Sequence, residues 1–177
     1  MNKRIIEVVD YDPQWITNFN NEKQHLLNAI GEIAISIEHI GSTSVIGLSA
    51  KPIIDILVEV SDLAVLDEKT PQLAALGYLA KGENGIAGRR YFQKGDNLRT
   101  HHVHAFVSDD AHLVRHLAFR DYLISHTKIQ NEYQVIKQQA AKLCGNNSER
   151  YMSLKNGFIQ THEPLAVHWY LNKLRKN

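Results

Sequence analysis

The chain has 177 residues, 44% of them hydrophobic and 22% charged, which suits one folded domain with a core of its own and excludes a disordered or collagen-like chain. A formal net charge of +1 gives no global basic field of the kind a non-specific nucleic-acid binder uses, and a lone Cys144 rules out an internal disulfide or a multi-cysteine zinc site. There is no apolar run behind the basic Lys3-Arg4 pair and no stretch near the roughly 20 apolar residues of a membrane span, so a cytoplasmic, membrane-free location is expected. In chain order, residues 4–9 read as a short strand, and Asp12-Pro13 opens a helix that carries Trp15, Ile16, Phe19, Leu26, Leu27 and Ile30 to a stop at Gly31. Residues 33–40 read as a strand, 41–49 as a polar loop bearing glycine, and 52–60 as a central strand dense in β-branched residues. A helix over 63–76 closes at Gly77. Strands follow at 78–81, 89–94 and 101–107, with Gly82, Gly85, Gly95, Asp96 and Asn97 as turns. Helices are predicted at 110–126, 128–144 and 148–175. Sheet first and helices after is an α+β order, a mixed or antiparallel core over 1–108 with a helical part over 109–177 packed on it as one domain.

Polar residues concentrate in two places. The first is His39-Ile-Gly-Ser-Thr-Ser44, which leads through Lys51 to Asp55. Gly41 and Ser42 can bring backbone N–H groups and a hydroxyl against phosphate oxygens, although no Walker ending is present. Asp55 interrupts a run that otherwise belongs in a core, where a carboxylate costs several kcal/mol unless it is paired, hydrogen-bonded or bound to metal. The second is Arg99-Thr-His-His-Val-His104. His102 and His104 are two apart on a strand, about 6.6 Å, and share a face, while His101 points the other way. Arg90 and Lys94 share a face of the preceding strand and, with Lys51, are candidates to hold an anion. On the C-terminal helices Arg120, Tyr133 and Lys137 are candidates for the pocket rim, or for a salt-bridged cap that docks the helices. Trp15 and Trp169 read as packing.

The block from His39 to Val58 resembles the GrpB family, as do Tyr11-Asp-Pro-Gln-Trp15, Gly77-Tyr78, Arg90-Tyr-Phe-Gln-Lys94, His102-Val-His104 and Phe119-Arg-Asp-Tyr-Leu123. Tyr133 with Lys137 and Tyr151 with Lys155 extend the likeness over nearly the whole chain. The resemblance implies a nucleotidyltransferase-like fold, and related domains occur fused behind some dephospho-CoA kinases. It assigns Gly41 and Ser42 to the phosphate loop and Asp55 to the first metal carboxylate, with His39 and Thr43 as further candidates to bind the phosphate. The second carboxylate position is Leu57, a departure from the pattern. Glu59 lies on the same side about 13 Å along the strand, too far to share one Mg²⁺ with Asp55, and is expected to be structural. His102 and His104 stand where a third carboxylate would be, and imidazoles suit zinc or manganese better than magnesium. Three readings stay open. One is a nucleotidyltransferase with Ser42, Asp55 and His104 in catalytic roles and Lys51 and Arg90 neutralising charge. Another is a non-catalytic module that binds a nucleotide, CoA-like or other small phosphorylated ligand. The third is a metal-dependent hydrolase using Asp55, His102 and His104 with Mg²⁺, Mn²⁺ or Zn²⁺. The sequence carries no signal for an oligomeric state.

Overall fold

The structure, a computed structural model, describes residues 5–176. Helix α1 (Gln14–Ile30) starts behind Asp12, whose carboxylate accepts from the Gln14 N–H at 2.9 Å, and ends at Gly31. Strands β1 (Ala34–Ile40), β2 (Ile54–Val60), β3 (Tyr78–Ala80), β4 (Arg90–Lys94) and β5 (His101–Val107) form one mixed sheet in the order β1-β2-β5-β4-β3. β2 and β5 run parallel and every other neighbouring pair is antiparallel. This is an α+β fold.

The helix expected over 63–76 forms as two short pieces, α2 (Leu63–Glu68) and α3 (Thr70–Ala75). Pro71 explains the break. It has no N–H for the Asp67 carbonyl, and its ring clashes with that carbonyl if the helix continues. The strand expected at 4–9 does not form. Residue 4 lies outside the described residues, and only Val9 pairs, in a single bridge with Ala50. Ile6 packs instead beside Ala140, Cys144 and Tyr151, and its N–H donates to Asn146 Oδ1 at 2.9 Å, so the segment is tied to helices rather than to a sheet edge.

The two faces of the sheet have separate tenants. One face carries Ile54, Ile56, Val58 and Val60 of β2, Val103 and Ala105 of β5 and Phe92 of β4. These pack against Trp15, Phe19, Leu26 and Ile30 of α1 and against Leu66 and Leu73 of α2 and α3. Side chains alternate along a strand, so the other face receives Asp55 and Leu57, His102 and His104, and Tyr91 and Gln93. Helices α4 (Ala111–Ser125), α5 (Thr127–Leu143) and α6 (Ser148–Leu174) lie on that side. They enclose the loop after β1, with Val45 and Leu48 packed against Leu123, Tyr133 and Phe158. Trp15 is core, and Trp169 packs edge-on to Tyr122 and His126. No helix among the described residues is long and apolar enough to cross a membrane.

Candidate functional site

Gly41 adopts φ +72°, and a Cβ there would meet Asp55 Oδ2 at 2.7 Å. Only glycine lets the loop lie directly on that carboxylate. The chain then makes a 3-10 turn, Ser42–Ser44, closed by the Ser44 hydroxyl donating to the Gly41 carbonyl at 2.5 Å. Behind the turn, His39 Nε2 lies 2.9 Å from Thr43 Oγ1 and its ring stacks on Phe19 at 4.7 Å. Burial, followed by the nearby Arg120, lowers the His39 pKa to about 4 against the opposing pull of Asp55, so the ring is neutral at pH 7.

The register of β2 with β5 places His102 opposite Asp55 and His104 opposite Leu57. Asp55 Oδ1 stands 3.1 Å from His102 Nδ1 and 3.3 Å from His104 Nε2. Burial raises the Asp55 pKa, and the two imidazole hydrogen bonds overcome it, so the carboxylate is held well below its usual range. His104 Nδ1 faces Arg89 Nη1 at 3.4 Å. A guanidinium only donates, so neutral His104 carries its proton on Nε2, toward Asp55.

Two adjoining cavities of about 430 Å³ each open beside this triad. Ser42, Asp55, His104, Met152 and Lys155 line both, so they are lobes of one cleft. The first lobe is walled by Thr43, Lys51, Arg89, Arg99, Lys137 and Tyr151. Among the described residues, Arg89, Arg99, Lys137 and Lys155 form no salt bridge. Arg99 Nε and His102 Nε2 are buried without a hydrogen-bond partner. Lys137 is fully buried, donates to the Ser49 carbonyl, and has its pKa lowered to about 6 by burial and then by Lys155. Burial also lowers Lys155, which Asp55 partly restores.

Of the residues singled out in the sequence, the cleft collects Gly41, Ser42, Thr43, Lys51, Asp55, His102, His104, Arg120, Tyr133 and Lys137. It does not collect Arg90, Lys94 or His39. Arg90 and Lys94 lie opposite Ala105 and His101, on the face packed by α1 to α3. There Arg90 grips Asp67 through two bonds of 2.7 and 2.9 Å, and Lys94 bonds the buried Glu22 at 2.9 and 3.0 Å. His39 supports the loop from behind. Arg120 serves docking, with bonds to Asp121 (2.7 Å), Glu38 and the His39 carbonyl (3.1 Å each). Glu59 accepts from Ser36 and Ser108 and is structural. Arg89, Arg99, His116 and Lys155 reach the cleft without having been singled out as site residues. For Lys155 the spacing held a signal: Tyr151 and Lys155 repeat the four-residue step of Tyr133 and Lys137, and each Nζ sits over its tyrosine ring, at 5.1 and 4.8 Å.

Asp55, His102 and His104 bring three ligand atoms within 4.8 Å of one another. One carboxylate and two imidazoles fit a transition-metal ion in donor type and spacing. They do not fit the paired carboxylates of a magnesium site, because Leu57 is 2% exposed and sealed against Ile40, Phe106 and Leu113.

The chain matches the GrpB protein family over residues 5–164. It is 46% identical over 167 residues to the UPF0157 protein YqkA of Bacillus subtilis, covering 94% of this chain and 49% of that one, so it spans about half of that relative's length. A dephospho-CoA kinase of Mycolicibacterium paratuberculosis is 25% identical over 93% of this chain and 46% of its own. Among solved structures, the conserved protein GrpB from Enterococcus faecalis superposes with a TM-score of 0.90 at 40% identity, over 93% of this chain and 99% of that one. Cid1 in complex with its short product ApU superposes at 0.51 with 15% identity, over 76% and 43%, a likeness of fold alone.

Proposed function

The chain belongs to the GrpB family, and from that premise we propose that its cleft binds a phosphorylated small molecule of the nucleotide class, with Asp55 at the reactive centre. One observation carries the reading: Arg89, Arg99 and Lys155, which form no salt bridge among the described residues, line a cavity with Asp55 as its carboxylate, and the Lys137 amine stands beside them. Cations partly withdrawn from water without counter-charge are costly, and a polyanion entering the lobe removes that cost and favours protonation of Lys137. The Gly41–Ser42 turn offers backbone N–H groups and a hydroxyl at the same wall. The nucleotidyltransferase-like fold and the likeness to dephospho-CoA kinases support a ligand of nucleotide or CoA type.

In this reading Ser42 and Lys51 orient phosphate, and Arg89 and Lys155 neutralise charge that develops on a transferred nucleotidyl or phosphoryl group. A bound transition metal would be held by Asp55, His102 and His104, and would supply Lewis-acid stabilisation of a phosphate oxygen. Leu57 favours a second reading, a module that binds the same ligand without transferring it, since the position of the second magnesium carboxylate is apolar and closed. A small phosphorylated metabolite as ligand and the single buried thiol of Cys144 agree with a cytoplasmic protein.

Thermal unfolding of metal-free protein with inorganic triphosphate, each nucleoside triphosphate or CoA, with and without Mg²⁺, Mn²⁺ and Zn²⁺, tests the site. Ligand at 100 times its Kd adds about 2.7 kcal/mol, which raises Tm by roughly 5–10 °C. No shift with any of them sinks the anion-site reading. A shift without formation of any transfer or cleavage product leaves the binding module.

A further inference from the structure

The two lobes differ in how their charges are met. The first holds Arg89, Arg99 and Lys155, which form no salt bridge among the described residues. The second is walled by Ile40, Phe119, Leu123, Tyr133 and Ile159, and both of its arginines are satisfied within the fold. Arg115 Nη1 lies 3.1 Å from Glu163 Oε2, and Arg120 is held by Glu38 and Asp121. The His116 ring lies against the His104 ring, with centroids 5.3 Å apart. Beyond the groups it shares with the first lobe, what remains for a guest is apolar surface, the His116 ring and the amide of Asn156.

We propose that this second lobe seats a second, uncharged ligand, a small molecule with an apolar body of ring size and a hydroxyl end, beside the phosphorylated molecule in the first. The proposal rests on the anion-site reading above. At about 430 Å³ each, either lobe alone has the volume of an ordinary small-molecule site. The charge contrast assigns the guests, since an apolar body gains nothing among desolvated lysines, and a polyanion finds no free cation of the second lobe's own. The position of Asp55 supplies the reason for two guests rather than one. Ser42, Asp55, His104 and Lys155 stand at the seam, not at the end of either lobe. Groups at a seam face the place where two bound molecules meet, which is where an acceptor must present its nucleophile. In the transfer this serves, the acceptor's hydroxyl oxygen forms a bond to a donor phosphorus. The bond from that phosphorus to the leaving phosphate breaks, and the leaving phosphate keeps its electron pair and takes up the hydroxyl proton.

Ligand-observed NMR with two probes, benzyl alcohol at millimolar concentration and inorganic triphosphate, tests the proposal on the full chain. The expected result is simultaneous binding, with neither probe displacing the other. Ile159→Arg should abolish the benzyl alcohol signal and leave triphosphate bound, while Arg99→Gln should weaken triphosphate about tenfold, as loss of a charged hydrogen bond does, and spare benzyl alcohol. If Ile159→Arg does not fold, Phe119→Ala removes one wall and should weaken benzyl alcohol severalfold at an unchanged triphosphate affinity. Failure of benzyl alcohol to bind, or its displacement by triphosphate, overturns the proposal. So does displacement by ATP but not by triphosphate, which gives the lobe to the nucleotide's own base. Binding of benzyl alcohol without any binding of triphosphate fails the anion-site reading instead and leaves the second lobe standing as a site for a neutral ligand.

Discussion

On the α1 side of the sheet, Glu22 is 4% exposed and accepts from Lys94 at 2.9 and 3.0 Å and from the Tyr78 hydroxyl at 2.8 Å. On the α5 and α6 side, Asp55 accepts from two imidazoles while Arg89, Arg99 and Lys155, without a salt bridge among the described residues, line the same cavity. The two clusters stand on opposite faces of one sheet, the first on Tyr78 of β3 and Lys94 of β4 and the second on Asp55 of β2 and His102 and His104 of β5. In the first the charges are matched and the surrounding space is filled by core, so it holds α1 to the sheet. In the second positive charge exceeds negative beside an open cleft. Matched charge next to packed side chains is architecture, whereas surplus charge next to a cavity is the feature on which the proposed anion site rests.

The contrast can be broken from either side. Lys94→Met leaves the Glu22 carboxylate buried without its cation and is expected to cost about 3 kcal/mol, lowering Tm by roughly 6–12 °C in thermal unfolding, with triphosphate affinity unchanged. Lys155→Met is the mirror case. It removes a desolvated cation that has no salt bridge, so Tm without ligand should hold or rise, while calorimetry should show triphosphate binding weakened about 30-fold, or about 2 kcal/mol. A loss of stability like that of Lys94→Met would make the cleft cluster structural after all.

The pH dependence of the ligand-free protein sharpens the difference further. Lys137 falls from an ordinary value of 10.5 when unfolded to about 6 when folded. Between those values the unfolded chain binds a proton that the folded chain does not, so this group makes stability rise with pH across that window and leaves a constant cost below it. Tm measured from pH 6 to 9 should climb less in Lys137→Met than in the native protein. Triphosphate binding at pH 8 should take up protons, seen as a dependence of the calorimetric heat on buffer. Smallest of all is Arg90→Gln. Its bridge to Asp67 is partly exposed, so its loss should cost no more than about 1 kcal/mol and leave ligand binding untouched.

Much of the site was readable from one strand's alternation and one glycine. Asp55 in an apolar run, and His102 and His104 two apart, had to share faces, and the loop at Gly41 had to be special. The cations were not readable in the same way. Arg90 and Lys94 looked suitable because they share a face, but which face depends on the pairing of β4 with β5, where Tyr91 stands opposite His104. One residue of phase sends Arg90 to Asp67 and brings Arg89 to His104.

The sequence by itself determined the α+β order, the glycine-bearing loop at Gly41 and the shared face of His102 and His104, because these depend on local period and spacing, and its resemblance carried the family; the parallel register of β2 with β5 is what brought Asp55 to the two histidines. Tertiary structure alone decided that Lys155 and His116 join the cleft, that Arg90 and Lys94 leave it, that Leu57 is sealed beneath α4, and that the cleft has two lobes, with the second lobe's arginines paired to carboxylates. Those outcomes follow from the rotation and docking of helices against the sheet and from which carboxylates come within reach of which cations, and no repeat along the chain encodes either.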